Sequence, residues 1–165
     1  MIFSPPLLSL AEDVLQRCRE SGMKLATAES CTGGLVCGCL TAVAGSSDVM
    51  ECGFVTYSDD AKARMLGVAA DLFGKGKPGA LSEQVARAMA EGALKHSTAD
   101  ISVSLTGIAG PGGGTAEKPV GLVHMASARS GLETIHERHQ FGGDRGNVRE
   151  QAVAAALRLI LAQFV

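Results

Sequence analysis

Lys24-Leu25-Ala26-Thr27-Ala28-Glu29-Ser30-Cys31-Thr32-Gly33-Gly34-Leu35-Val36 is the stretch whose reading decides the fold. A short strand-like run stops at small polar residues and two glycines. A run of apolar residues at helical spacing then continues to Val43, so a strand turns sharply into a helix. That is the elementary unit of an α/β protein. Glycines at such a junction let a ligand approach the backbone closely, and the first amides of the helix favour anionic groups. The same residues have a purely structural use as well, because Ser30 or Thr32 is a good helix cap.

Upstream of this unit, Leu7, Leu8, Ala11, Val14, Leu15 and Cys18 recur at helical spacing, and Ser21-Gly22 ends that helix. Downstream, Ala44-Gly45 closes the second helix. A strand is expected near Cys52 to Tyr57, and a brief helix from Ala61 to Leu66. Gly74, Gly76, Pro78 and Gly79 mark an irregular connection to a longer helix beginning near Ser82, with Val85, Ala86, Met89 and Ala93 on its buried stripe. Ile101, Val103 and Leu105 alternate with Ser102, Ser104 and Thr106, the period of a strand with one face in the core. That strand runs directly into Gly107-Ile108-Ala109-Gly110-Pro111-Gly112-Gly113-Gly114. Val120 to Ala128 and Glu133 to Phe141 read as two strands of a hairpin around Ser130-Gly131. A final apolar-faced helix follows, capped by Asp144. The order of elements implies a single domain over residues 1–165. Its expected form is a three-layer α/β/α sandwich with a mixed, mainly parallel sheet of about five strands, the hairpin forcing an antiparallel neighbour.

Composition narrows the function. The 165 residues carry a formal net charge of -2 with scattered Lys and Arg, so no basic stripe for nucleic acid is present, although a local anion pocket is allowed. No apolar run is long enough to span a bilayer. The Ser4-Pro5-Pro6-Leu7 start lacks the pattern of a signal peptide, and a cytoplasmic protein is expected. Cys18, Cys31, Cys37, Cys39 and Cys52 form no Cys-x-x-Cys pair, which points to neither a disulfide framework nor a zinc site.

Open α/β sheets bind ligands at strand ends, and three such ends here carry polar or glycine-rich sequence. They are Ser30 with Gly33-Gly34, Tyr57 with Lys62, and Thr106 with the glycine loop that includes Gly107 and Gly110. A desolvated lysine can lose its proton and act as base to a serine nucleophile. Cys31 is a rival nucleophile, because a thiolate at a helix N-terminus can have a lowered pKa. The glycine loop can present successive amides to a phosphate or an oxyanion, and Arg145 in the first turn of the last helix can hold a phosphate. The glycine spacing matches neither a Walker loop nor a Rossmann fingerprint. His96, His124, His136 and His139 form no metal or triad pattern.

Five ordered blocks resemble the CinA C-terminal domain family over nearly the whole chain. They are Thr27 to Gly34, Gly53-Phe54-Val55-Thr56-Tyr57-Ser58, Thr106 to Gly113, Glu117-Lys118-Pro119-Val120-Gly121, and Phe141-Gly142-Gly143-Asp144-Arg145. The resemblance implies the three-layer sandwich, a homodimer or higher homo-oligomer and no cofactor. It also implies hydrolysis of the carboxamide of nicotinamide mononucleotide to nicotinic acid mononucleotide and ammonia, within pyridine nucleotide recycling. On that reading Ser30 is the nucleophile, Lys62 its base, and Tyr57 hydrogen-bonds the nucleophile or stacks on the pyridine. Thr32, Gly33 and Gly34 hold the developing charge, Thr106 orients the substrate, and Arg145 with the glycine loop takes the phosphate. The competing readings are a non-catalytic nucleotide-sensing or protein-interaction module linked to competence or DNA damage, and an amidase for another small amide.

Overall fold

In the computed structural model, which describes residues 2–165, five strands join one sheet. They are β1 (Leu25–Glu29), β2 (Met50–Val55), β3 (Ile101–Gly107), β4 (Leu122–Arg129) and β5 (Ile135–Gln140), in the order β2-β1-β3-β4-β5. β1 pairs in parallel with β2 and β3, whereas β4 is antiparallel to both β3 and β5, so only β4 runs against the other four. Helices α1 (Pro5–Glu20), α2 (Leu35–Thr41) and α5 (Arg145–Ala162) cover one face. On the other face α4 (Glu83–Lys95) crosses β1, β3, β4 and β5, with α3 (Asp59–Leu66) against it. This is the three-layer α/β/α sandwich expected from the order of elements.

The caps follow from local chemistry. Ser58 accepts a hydrogen bond from the Ala61 amide at the start of α3, which moves that helix two residues earlier than the apolar pattern suggests. Asp144 caps α5 as expected, in a reciprocal box with Asn147.

The two faces of the sheet are packed differently. Ile101, Val103 and Leu105 of β3 join the large core beneath α1, α2 and α5. The alternate residues Ser102, Ser104 and Thr106 are not on a solvated face, as their polarity suggests, but lie buried beneath α4 and the loop before it. Burying a hydroxyl unpaired is costly, and each of these donates to a carbonyl: Ser102 to Ala90 at 2.7 Å, Ser104 to Ala86 at 2.6 Å, and Thr106 to Ala80 at 2.8 Å. With Ala126 and Ala128 beside Ala86 and Ala90, the side chains between helix and sheet are small.

Gly92 extends this close packing to α3. A Cβ built on Gly92 would lie 2.0 Å from the Leu66 carbonyl oxygen. In an unpacked helix Gly→Ala is worth roughly 1 kcal/mol of stabilisation. Here Gly92→Ala should destabilise the protein by about 1–3 kcal/mol, because the clash is with backbone. Urea unfolding reads the sign: a lower midpoint is the expected result, and a higher one would show that α3 moves away freely.

Candidate active site

Register brings the three strand ends together. Glu29 pairs with Val55 on one side and Leu105 on the other, so the residues that follow leave the sheet at one edge. The Ser30 amide donates to the Leu105 carbonyl at 3.0 Å, and the Thr56 amide to the Glu29 carbonyl at 2.8 Å. A cavity of about 240 Å³ opens there, with Ser30, Tyr57, Lys62, Thr106, Gly107, Gly110 and Arg145 among its walls. These are seven of the ten residues singled out from sequence. Thr32, Gly33 and Gly34 do not line it. The volume falls below the roughly 300–1,000 Å³ of sites for drug-sized ligands, so a ligand of that size would extend past the mouth. A larger groove between α1 and α5, about 480 Å³, also holds a serine, but there Ser4 donates to the Glu150 carboxylate at 3.2 Å in an exposed setting with no lysine beside it.

Ser30 and Lys62 meet inside this cavity. Lys62 is only 1 % exposed, yet its Nζ meets two oxygens: it donates to Ser30 Oγ at 3.1 Å and to the Thr56 carbonyl at 2.9 Å. Burial therefore lowers the Lys62 pKa from its ordinary value, while the charge of Asp59 acts in the opposite sense. A lysine so placed gives up its proton more readily than one in water, and the neutral amine then faces the serine hydroxyl as an acceptor for its proton.

Cys31 has the opposite character. Its thiol belongs to the core cluster, and burial pushes its pKa up to about 11. Its own amide is the main opposing influence; Glu29 adds a smaller upward push, and Arg149 and the Thr32 amide lower it less. The expected helix-terminus thiolate is not formed, because the amides of α2 are already engaged.

Those amides belong to Glu29. Its carboxylate is wholly buried and accepts from Thr32 Oγ1 at 2.6 Å and from the amides of Gly34, Val36 and Cys37 at 3.1, 3.0 and 2.9 Å. Neither Ser30 nor Thr32 is the cap. The N-cap position is Gly34, in the left-handed region at φ 96°, and the capping carboxylate reaches it from before the turn. Hence the helix entrance at Gly33-Gly34 is filled by the protein's own anion. The N–H groups of Cys31 and Thr32, and those of Ala109 and Gly110 across the cavity, have no oxygen acceptor among the described residues.

On the rim, Arg145 spans the cavity mouth, donating to the Gly110 carbonyl at 2.8 Å and the Tyr57 hydroxyl at 3.1 Å. Tyr57 is 62 % exposed, and its hydroxyl meets Arg145 rather than Ser30. Thr106 commits its proton to Ala80, so toward a ligand it offers only acceptor capacity. Lys118 ties the same wall down by donating to the Pro78 carbonyl at 2.7 Å.

The chain matches the CinA C-terminal domain model over residues 7–164. It belongs to the CinA C-terminal domain family. Nicotinamide-nucleotide amidohydrolase PncC of Escherichia coli is 50% identical over 159 residues, which cover 96% of this chain and 95% of that protein. A CinA-like protein of Akkermansia muciniphila is 47% identical over 97% of this chain but only 38% of its own length. Among solved structures, competence/damage inducible protein CihA of Agrobacterium tumefaciens superposes with a TM-score of 0.95 at 44% identity, covering 99% of this chain and 98% of that one.

Within this CinA domain, sequence reasoning missed three contributors. Glu29 sits inside the quoted motif, and its place before a glycine-entered helix was the available signal. Asp59 is the one acidic residue in the cavity wall, and Ala80-Leu81 close it from the loop before α4. The histidines stay outside: His124 and His136 stack and share a hydrogen bond at 3.0 Å, and burial pushes His124 down to about 4. Because Asp59 holds the Lys62 pKa up, Asp59→Asn should make Lys62 lose its proton at lower pH. NMR titration of the Lys62 Nζ resonance checks this, and an unmoved or raised midpoint would show that the two charges do not interact.

Proposed function

We propose that this chain hydrolyses the carboxamide of nicotinamide mononucleotide to nicotinic acid mononucleotide and ammonia, with Ser30 as nucleophile and Lys62 as its base. The observation that carries this reading is the Lys62 Nζ to Ser30 Oγ hydrogen bond at 3.1 Å inside a cavity whose rim bears Arg145. The likeness to an Escherichia coli nicotinamide-nucleotide amidohydrolase over almost the full length of both proteins supports the substrate.

In the acylation step the Ser30 oxygen bonds to the amide carbon and its proton passes to neutral Lys62. The tetrahedral intermediate then breaks its carbon–nitrogen bond as Lys62 returns that proton to the departing nitrogen, releasing ammonia. Water attacks the resulting ester, Lys62 again takes and returns a proton, and nicotinic acid mononucleotide leaves with Ser30 restored. A positioned base contributes roughly 10²–10⁴-fold. The N–H groups of Ala109 and Gly110, which line the cavity and have no acceptor among the described residues, supply donors for the oxyanion, each worth on the order of 10²–10³-fold. Arg145 takes the phosphate, trading its contacts with Gly110 and Tyr57 for a charge-assisted pair. The exposed Tyr57 ring offers a stacking face for the pyridine. The product belongs to the recycling of pyridine nucleotides toward NAD, a cytoplasmic role we assign to a homodimer or higher homo-oligomer.

Ammonia release from nicotinamide mononucleotide tests the proposal. Ser30→Ala should cost roughly 1,000-fold or more in kcat, whereas Cys31→Ala should keep most of the activity. Loss in the cysteine variant with retention in the serine variant would sink the assignment, and binding without turnover by the unaltered chain would favour a sensing module. Arg145→Met should raise KM for the mononucleotide by about tenfold or more and leave turnover of nicotinamide riboside unchanged. Equal kinetics on the two substrates in the unaltered chain would remove the phosphate site.

A further inference from the structure

We infer that Glu29 and Arg149 are positioning residues for Ser30, acting together through Thr32, an inference that rests on reading Ser30 as the nucleophile. Thr32 is fully buried and gripped at both ends. Its hydroxyl donates to Glu29 at 2.6 Å, and its carbonyl accepts from Arg149 Nη2 at 3.0 Å. Neither interaction reaches the cavity, whose walls exclude Glu29, Thr32 and Arg149.

The arrangement is a closed loop around the nucleophile. Glu29 is the last residue of β1 and Ser30 the next, so the carboxylate that caps α2 starts one residue before the reactive hydroxyl. Five residues, 30 to 34, are spanned by that one side chain. The Ser30 amide is held by the Leu105 carbonyl, and the Ser30 carbonyl accepts from the Gly33 amide at 3.0 Å. The backbone of Ser30 is thereby held on both its amide and its carbonyl, while its hydroxyl faces Lys62.

Arg149 supplies the tie to the last helix. It lies four residues after Arg145 on α5, so the two guanidinium groups leave the same helical face one turn apart. Arg145 reaches the cavity mouth and Arg149 reaches the back of the turn. A Cβ on Gly33 would lie 3.4 Å from Arg149 Nη2, which shows how closely the guanidinium sits against the turn. Arg149 Nε is buried with no partner. Nothing about the stability of α5 calls for such an orphan, and a carbonyl behind the nucleophile is what the side chain secures. Reacting groups displaced by about 1 Å lose on the order of 10²-fold in rate, so loosening this turn shows in kcat rather than in substrate affinity.

Two readouts test this on the full chain: steady-state ammonia release from nicotinamide mononucleotide, and the rate of Ser30 labelling by a small sulfonyl fluoride, followed by intact mass. In the labelling reaction the Ser30 Oγ–sulfur bond forms, fluoride leaves and Lys62 takes the proton. Arg149→Met, Thr32→Val and Glu29→Gln should each lower both kcat and the labelling rate by about tenfold or more with KM within about twofold. Arg149→Lys and Thr32→Ser should restore most of the loss. If Glu29→Gln does not fold, the Arg149 and Thr32 pairs decide the matter. A rise in KM with kcat unchanged, or rates within twofold of the unaltered chain, overturns the inference. Labelling of Ser30 without ammonia release in the unaltered chain defeats the substrate reading alone, and the labelling rates then still decide the positioning. No labelling of Ser30 at all overturns both.

Discussion

One buried carboxylate sets the geometry on which the site depends. An acidic group taken wholly out of water costs several kcal/mol unless donors surround it, and Glu29 has four, three of them the opening amides of α2. The benefit is mutual, since a seven-residue helix entered through a left-handed glycine has no side-chain cap at its N-cap position. The strand, turn and helix are thus one unit that cannot open without stranding a charge and three amides. A further consequence concerns anions. The helix entrance that such turns usually offer to a ligand is used internally, so the proposed phosphate site rests on Arg145 and the glycine loop instead.

The opposite wall of the cavity is set by the packing of α4. Small side chains let the helix lie close to the sheet, where Ser102 and Ser104 donate directly to its backbone carbonyls. Thr106 continues that ladder one rung beyond the helix, to Ala80 in the preceding loop. The cavity wall at Ala80-Leu81 is therefore placed by the same device that holds helix to sheet, and Lys118 fixes it from the glycine-loop side. Thr106 serves the site as a strut whatever it offers a ligand.

Much of this was legible in the sequence. The five strands, the cap of the last helix and seven cavity residues follow from periodicity, turn chemistry and the rule that ligands sit at strand ends. What escaped is what depends on a partner distant in sequence. The alternation of Ile101 to Thr106 reads as a half-solvated strand, because nothing local says that α4 will offer carbonyls to its hydroxyls. Cys31 looks reactive beside a helix start until Glu29 is found on the amides that would have stabilised its thiolate. Arg149 carries no motif at all, and its role exists only because α5 returns 117 positions later to the turn.

The proposed chemistry asks two cations in one small cavity to do opposite things, and the fold separates them by solvation. Lys62 must spend part of its time neutral, and it is sealed beneath the strand ends where burial disfavours its charge. Arg145 must stay charged, and it lies exposed across the open rim, where water solvates the guanidinium. A substrate phosphate bound beside Lys62 would favour the ammonium and disable the base, since unit charges 4 Å apart interact by about 4 kcal/mol at an effective dielectric of 20. Recognition at the Tyr57 and Gly110 side of the mouth keeps that charge away from the amine. The distance between phosphate and carboxamide in a mononucleotide is what allows one molecule to meet both requirements, so the length of the substrate is part of how the base stays basic.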